Sequence, residues 1–454
     1  MWHVNRRNLL KLVVATLVQP LSFSSYSQTI HNKNYLSYYG NGRDALEAFL
    51  TFSKNNSVEC YIDIDILLDD TIEFDFDYSV VKIVFLSTTL KSDRPNLILK
   101  GLGNGSYIKD AKFSTINQPW VITRWDNDLW ITKPDKVLET LTRTSSPGYY
   151  QPTVNDHDIY DFLSDEQKQQ DISSGIVITD SNNVKIDSPS GFFVLISFLN
   201  CNFCSVINPK IFSGGKGRFG TIVFNNLTSS NYGVGNKVIG GTISYGSFSA
   251  ITFIRNKGYQ GGVFKNVNIF RSGESGIKTY QNEIDGISAR CYNLTFEDVV
   301  TRQAVYDGFD FTSDYGTEEE RNNDFSLHQY PWHSLPLAHK IKNLTAINCK
   351  GTGFFIDGQF SNIYNIKASD CFKDGVYISG ENNNFFNVQV NNCNLLNFAS
   401  GVHQFNSPND NSISYLEVNT SNKIKKGYAV YSPKSYISKK EGLSQLKSVM
   451  KHQN

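Results

Sequence analysis

The chain has 454 residues, and its 43 basic and 43 acidic side chains cancel. Zero net charge argues against a nucleic-acid binder, which would carry a basic face, and gives no electrostatic hold on an anionic membrane. Aromatic residues at 13%, 33 Gly and only 2 Met, with many Asn, Val, Ile, Thr and Tyr, argue against a mostly helical fold.

Residues 1–27 read as an export signal. MWHVNRRNLLK supplies a positive start, LVVATLVQPL an apolar core of about ten residues, and SYS before Gln28 a small-x-small cleavage site. That core is too short to span a bilayer. Asn5-Arg6-Arg7-Asn8-Leu9-Leu10-Lys11 also resembles the twin-arginine export motif, with Leu9 for the usual Phe and Asn5 for Ser or Thr. General secretion and the twin-arginine route both stay open. No later segment is apolar enough for a membrane helix, so the cleaved protein is expected to be soluble in the periplasm or outside the cell.

Residues 28–170 are expected to form an N-terminal cap and the first irregular coils. In YYGNGRDALEAFLTFSK, Asp44 precedes a stripe of Ala45, Leu46, Ala48 and Phe49, which predicts an N-capped amphipathic helix. Such a helix would plug the open end of a solenoid, whose bare backbone edge otherwise templates aggregation. Next, Ile62, Ile64, Ile66, Ile72, Phe74 and Phe76 alternate with Asp63, Asp65, Glu73, Asp75 and Asp77. A solvated acidic strand face is the favoured reading, with calcium binding to paired carboxylates as the alternative. From Trp120 to Gln170 the pattern breaks into Pro-rich and polar sequence, an excursion from the coil.

Residues 171–432 carry a repeat. NLTAINCKGTGFFIDG starts at Asn343, NIKASDCFKDGVYISG 22 residues later and NVQVNNC another 22 residues on. Aligned on Gly, the column runs Gly276, Gly308, Gly353, Gly375, Gly401, Gly427, with apolar leaders Ile277, Phe309, Phe354, Val376, Val402 and Tyr428 behind it. Short strands of period 2, recurring roughly every 22 to 27 residues between Asn and Gly turns, predict an all-β fold, a single-stranded right-handed parallel β-helix of about ten coils. Each coil stacks about 4.8 Å from the next, so residues one coil apart share a position. Gly is expected where a bend needs positive φ, and Asn where its side chain bonds the backbone or the Asn above. Cys349, Cys371 and Cys393 are expected as an inward ladder rather than as disulfides or metal ligands, and the CxxC from Cys201 to Cys204 stands alone. Residues 433–454 are expected to form a basic tail or second cap.

The opening helix, the Asn-rich coils and the export signal together resemble the right-handed parallel β-helix superfamily of pectate lyases, polygalacturonases and phage tailspikes, over roughly residues 35–432. More narrowly, the chain resembles the exported β-helix protein of bacterial exopolysaccharide gene clusters, the amylovoran-biosynthesis AmsF type. That resemblance implies making or trimming an extracellular heteropolysaccharide in the periplasm. The polygalacturonase motifs Asn-Thr-Asp, Asp-Asp, Gly-His-Gly and Arg-Ile-Lys are not found in order, which disfavours pectin cleavage.

The outward column behind each leader reads Lys278, Asp310, Phe355, Tyr377, His403, Ala429. It begins charged and turns aromatic, as a strip that receives sugar rings and their hydroxyls would. Between Asp314 and Lys340 an insertion carries His328, Tyr330, Trp332 and His333, side chains suited to sugar contact, and the Gly spacing jumps to 45. Beside it, Asp310 points outward, and Asp307 and Glu274 share the corner before their Gly. The arrangement resembles the acidic triad of tailspike endorhamnosidases. Glycoside hydrolysis needs one protonated carboxyl and one ionised carboxylate. With Lys278 as neighbouring cation, Asp310 is the expected base and Glu274 or Asp307 the acid. Ordinary solvated carboxylates are the plain alternative.

The expected function is therefore a glycoside hydrolase or transglycosylase acting on exopolysaccharide, with Glu274, Asp307 and Asp310 catalytic and Lys278, Phe355, Tyr377, His403, Trp332 and His333 binding substrate. It calls for no cofactor and no metal. A noncatalytic carbohydrate-binding or assembly protein is the alternative; a lyase, with Lys278 or Arg290 as base, is third. The expected partner is a polysaccharide and not nucleic acid, and a homo-oligomer is compatible with the fold. Sugar, linkage and anomeric outcome stay open.

Overall fold

A computed structural model describes residues 32–116, 173–214, 220–226, 233–246, 249–254, 259–279, 291–311, 338–356, 358, 360–378 and 382–393, with the backbone of short strands within 121–132 and 402–437. The export-signal stretch, the insertion with Trp332 and His333, Arg290 and most of the C-terminal tail lie outside the described residues.

The described chain winds into a right-handed parallel β-helix, in which a single sheet gathers 34 strands. A coil carries three short strands, as in Thr295–Glu297, Val300–Arg302 and Phe309–Phe311. Each pairs in parallel with its counterpart one coil on: Thr295 with Lys340, Val300 with Thr345, Phe309 with Phe354. Three residues per strand suffice because only the central or flanking apolar positions face inward, and the neighbouring coils bury them. Ile277, Phe309, Phe354 and Val376 are each 0% exposed. Phe309 and Phe354 stack at 4.9 Å with rings 9° apart, an offset aromatic ladder that continues the backbone ladder into the core.

The two turns of a coil rest on left-handed residues that are mostly Asn or Asp. Asn266, Asp298, Asn343, Asn365 and Asn387 hold the first, and Arg271, Gln303, Asn348, Asp370 and Asn392 the second, all at positive φ. Asn tolerates this conformation better than other side chains with a Cβ. It also bonds along the axis: Asn365 donates to Asn343 at 3.0 Å and Asn387 to Asn365 at 3.1 Å. The expected Asn ladder is present, but positive φ belongs to these turns and not to the described members of the aligned Gly column, Gly276, Gly308, Gly353 and Gly375. Those glycines answer a different demand. A methyl on Gly308 would lie 2.6 Å from the Gly353 carbonyl oxygen and 2.7 Å from the Ala346 methyl. A methyl on Gly353 would meet Gly375 and Ala368 in the same way, at 2.5 and 2.8 Å. Close approach between coils fixes the residue.

Cys349, Cys371 and Cys393 form the expected inward ladder, buried and unpaired, and all seven cysteines are free thiols. At the N-terminal end, helix α1 (Arg43–Asn56) buries Leu46, Phe49 and Leu50 against the first coil, and Lys54 Nζ donates to the Asp75 carbonyl at 3.0 Å. Two details differ from the sequence pattern. Gly42 is the N-cap and Asp44 falls in the first turn; Ala48 is exposed while Leu50 joins the buried stripe. The acidic strand face is engaged locally: Asp63 accepts from Ser37, Asp65 accepts from the Thr89 N–H, and Lys91 and Lys100 pair with Asp65 and Asp75. Among the described residues no helix is long and apolar enough to cross a membrane.

Candidate active site

The corner between the second and third strands departs from regular β structure. After the left-handed residue (Arg271, Gln303, Asn348, Asp370) the chain makes an irregular link of several residues before the Gly and the third strand. Backbone bonds still stack these links. Tyr306 N–H donates to the Glu274 carbonyl at 3.0 Å, Gly351 N–H to Tyr306 at 2.7 Å, and Lys373 N–H to Gly351 at 3.1 Å. Glu274, Tyr306, Gly351 and Lys373 thus form one corner column, with Asp307 and Thr352 one residue on.

The third strands carry the adjoining column. Lys278 pairs with Asp310, Asp310 with Phe355, Phe355 with Tyr377 and Tyr377 with His403. Past His403 the register differs from the Gly alignment: its partner is Tyr431, not Ala429, and Val430 takes the leader position expected for Tyr428. The spacing slips by two residues in a coil whose Gly no longer marks the rung.

Glu274, Asp307, Asp310 and Lys278 converge, and they are not solvated: each is between 3 and 7% exposed. Lys278 Nζ lies 2.5 Å from Glu274 Oε1 and 3.7 Å from Asp310 Oδ2, bridging the two carboxylates across one coil step. Burial alone would favour its neutral form, but Glu274 and Asp310 outweigh burial and hold Lys278 above the ordinary lysine range. Ser249 Oγ, from the preceding coil, donates to Glu274 Oε2 at 2.7 Å. Asp307 Oδ1 accepts the Thr352 N–H at 2.6 Å. Burial, and then the Asp310 carboxylate, push the Asp307 carboxyl up to about 8, against the opposing pull of Lys373, the Thr352 N–H and Lys278. Near neutral pH this carboxyl keeps its proton, while a charged lysine sits between its two acidic neighbours.

Phe355 and Tyr377 both keep partial exposure, but their rings stack on each other at 4.7 Å, 6° from parallel. The face that each ring turns to the other is therefore occupied. His403 follows in the backbone register, its side chain outside the described residues along with Trp332 and His333.

Sequence reasoning missed four contributors. Ser249 and the Thr352 N–H reach the carboxylates from flanking coils. Gly351 is required by space: a methyl there would lie 2.5 Å from Asp307 Oδ1 and 2.8 Å from the Tyr306 carbonyl. Lys373, half-buried, places Nζ 4.9 Å from the Tyr306 ring centroid. Aligning the residues two before each Gly would have shown the Glu274, Tyr306, Gly351, Lys373 column.

The sequence model of the Salmonella phage P22 tail-spike family matches residues 28–450. Among solved structures, the receptor-binding protein of bacteriophage Det7, a podoviral tailspike in a myovirus, is 30% identical with a TM-score of 0.69, covering 89% of this chain and 72% of that one. The tailspike receptor-binding domain of siphovirus 9NA is 32% identical with a TM-score of 0.69, covering 86% and 72%. The Dettilon tailspike protein, 8% identical with a TM-score of 0.54 over 89% and 68%, shares the fold alone.

Proposed function

The chain belongs to the Salmonella phage P22 tail-spike family, and on that premise we propose that it binds bacterial polysaccharide along its coils and hydrolyses it at the Glu274, Asp307, Asp310 corner. One observation carries the reading: three buried carboxyl groups meet at one corner, where Lys278 bridges Glu274 and Asp310, and burial beside Asp310 raises the Asp307 carboxyl to about 8. Hydrolysis of a glycosidic bond needs that division of labour. Asp307 donates its proton to the departing glycosidic oxygen. Asp310 takes a proton from the water that attacks the anomeric carbon, and Glu274, fixed by Ser249 and Lys278, holds Lys278 in place between them. Phe355, Tyr377 and His403 continue the groove, and Trp332 and His333 are assigned to it from the composition of their insertion.

The export-signal pattern of residues 1–27 supports a periplasmic protein. There it would process exopolysaccharide of the amylovoran type or its repeating units, with a sugar hydroxyl replacing water if it acts as a transglycosylase. A second reading, noncatalytic binding, is favoured by the low exposure of all three carboxylates and fits the receptor-binding description of the Det7 and 9NA proteins. Product analysis separates them. Incubation with the host's polysaccharide should release new reducing ends, and Asp310→Asn should cut that rate by about a hundredfold or more without lowering the melting temperature. An ultraviolet-absorbing unsaturated product would mean elimination, and binding with no new ends would leave the noncatalytic reading.

A further inference from the structure

We propose that the Gly351–Thr352 peptide is a clamp on the acid of this corner: it holds Asp307 Oδ1 from the next coil, so that the proton given to the glycosidic oxygen leaves from Oδ2, and it depends on position 351 having no side chain. The inference rests on the hydrolase reading above and adds to it the oxygen that acts and the residue that positions it. Gly351 touches no substrate in this scheme and is a positioning residue.

A carboxyl that keeps its proton has unlike oxygens: the carbonyl oxygen only accepts hydrogen bonds, while the hydroxyl donates one. Asp307 Oδ1 accepts the Thr352 N–H at 2.6 Å, and among the described residues this is the carboxyl's one hydrogen bond. A backbone N–H cannot accept a proton, so it selects Oδ1 as the carbonyl oxygen and leaves the hydroxyl on Oδ2. Backbone bonds tie the two links together on either side: Gly351 N–H donates to the Tyr306 carbonyl at 2.7 Å, and Gly308 N–H donates to the Thr352 carbonyl at 2.9 Å. The Asp307 carboxyl lies against that seam.

Space makes the contact possible. Gly351 does not take a left-handed φ, so backbone strain does not account for the glycine. A methyl at 351 would stand 2.5 Å from Asp307 Oδ1 and 2.8 Å from the Tyr306 carbonyl. The carbonyl is held in the seam, whereas the carboxyl ends a side chain and yields. Gly353 is matched in crowding but not in role: a methyl there would meet the Gly375 carbonyl oxygen at 2.5 Å, the Ala368 methyl at 2.8 Å and Cys371 Sγ at 3.4 Å, none of them in the acidic corner.

Release from the clamp changes the acid's strength with a definite sign. The charged groups facing Asp307 are Asp310 on its own strand, Lys278 with its partner Glu274 from the preceding coil, and Lys373 from the second coil on; the buried Cys349 thiol lies behind the next link. Burial is the main reason that Asp307 rises to about 8, with Asp310 next. A carboxyl pushed from its seat loses that burial. Loss of the Thr352 N–H acts in the opposite sense and is the weaker influence, so the net movement is downward.

The test follows reducing-end release from the host polysaccharide as a function of pH for the native protein, Gly351→Ala and Gly353→Ala. Gly351→Ala should cut the rate at neutral pH by about tenfold or more, leave polymer binding unchanged, and move the alkaline limb of the profile down from about 8 by about one unit or more. Gly353→Ala should keep the limb where it is. A second readout needs no folded variant at 351: the Thr352 amide nitrogen, followed by NMR with selectively labelled threonine, should titrate with a midpoint of about 8 in the native protein and not in Asp307→Asn. An unmoved limb in Gly351→Ala, the same shift in Gly353→Ala, or a silent Thr352 amide overturns the clamp and leaves hydrolysis standing. A native protein that releases no reducing ends removes the hydrolase reading and the clamp's role in it together.

Discussion

At the scale of single residues, Asp307 links stability to chemistry. Its folded-state value, about 8, lies above that of an unfolded chain, so the folded protein binds this proton more readily. The contribution to stability is complete below about pH 4 and fades as pH rises through about 8. Asp307→Asn removes a carboxyl that becomes costly to ionise, so the variant should melt higher than the native protein at about pH 9 and lose that advantage at about pH 5. Thermal melts at both values check it; a constant difference between the proteins at the two pH values would contradict the assignment. His339 acts in the opposite sense on the acid side. Fully buried between Phe296 and Phe311, with Nδ1 accepting the Leu294 N–H, it is depressed by burial to about 3. Its contribution is whole above about 6.5 and is lost as pH falls toward about 3. Which carboxyl keeps its proton was not legible in the sequence. Glu274 and Asp307 were equivalent as letters, and burial with a close Asp310 distinguishes Asp307.

At the scale of elements, the strand and its turns divide the structural demands among different residue types. Left-handed turns take Asn, and the link before the third strand takes Gly because the next coil's backbone is too close for a Cβ. Gly308→Ala should therefore cost about 2 kcal/mol or more through overpacking against the Gly353 carbonyl and Ala346, not through backbone strain. Denaturant unfolding measures it, and a cost near zero would show that the coils can separate locally. The sequence revealed that these glycines recur, since stacking repeats any steric demand at the coil period. It did not reveal which demand, because positive φ and close approach both select Gly. The strand register was readable as far as Tyr377 and His403, where leader and Gly keep constant spacing. It failed at Tyr431, where that spacing changes.

At the scale of the molecule, the solenoid turns linear intervals of 22, 32 and 45 residues into the same one-coil step, as between Phe355 and Tyr377, Lys278 and Asp310, and Asp310 and Phe355. This is why the fold class and the meeting of Glu274, Asp307, Asp310 and Lys278 could be read from spacing alone. The irregular corner was harder: alternation says nothing about side chains in a link that is not a strand, so Ser249, Gly351 and Lys373 escaped notice. The account as a whole stands on the corner being a working pair of acid and base, rather than a buried structural cluster. The most direct measurement is the release of reducing ends from the host polysaccharide by the native protein and by Asp307→Asn, with polymer binding recorded for both. The account predicts unchanged binding and a rate lower by about a hundredfold or more in the variant. Equal rates, or a native protein that binds the polymer and never cleaves it, would contradict it.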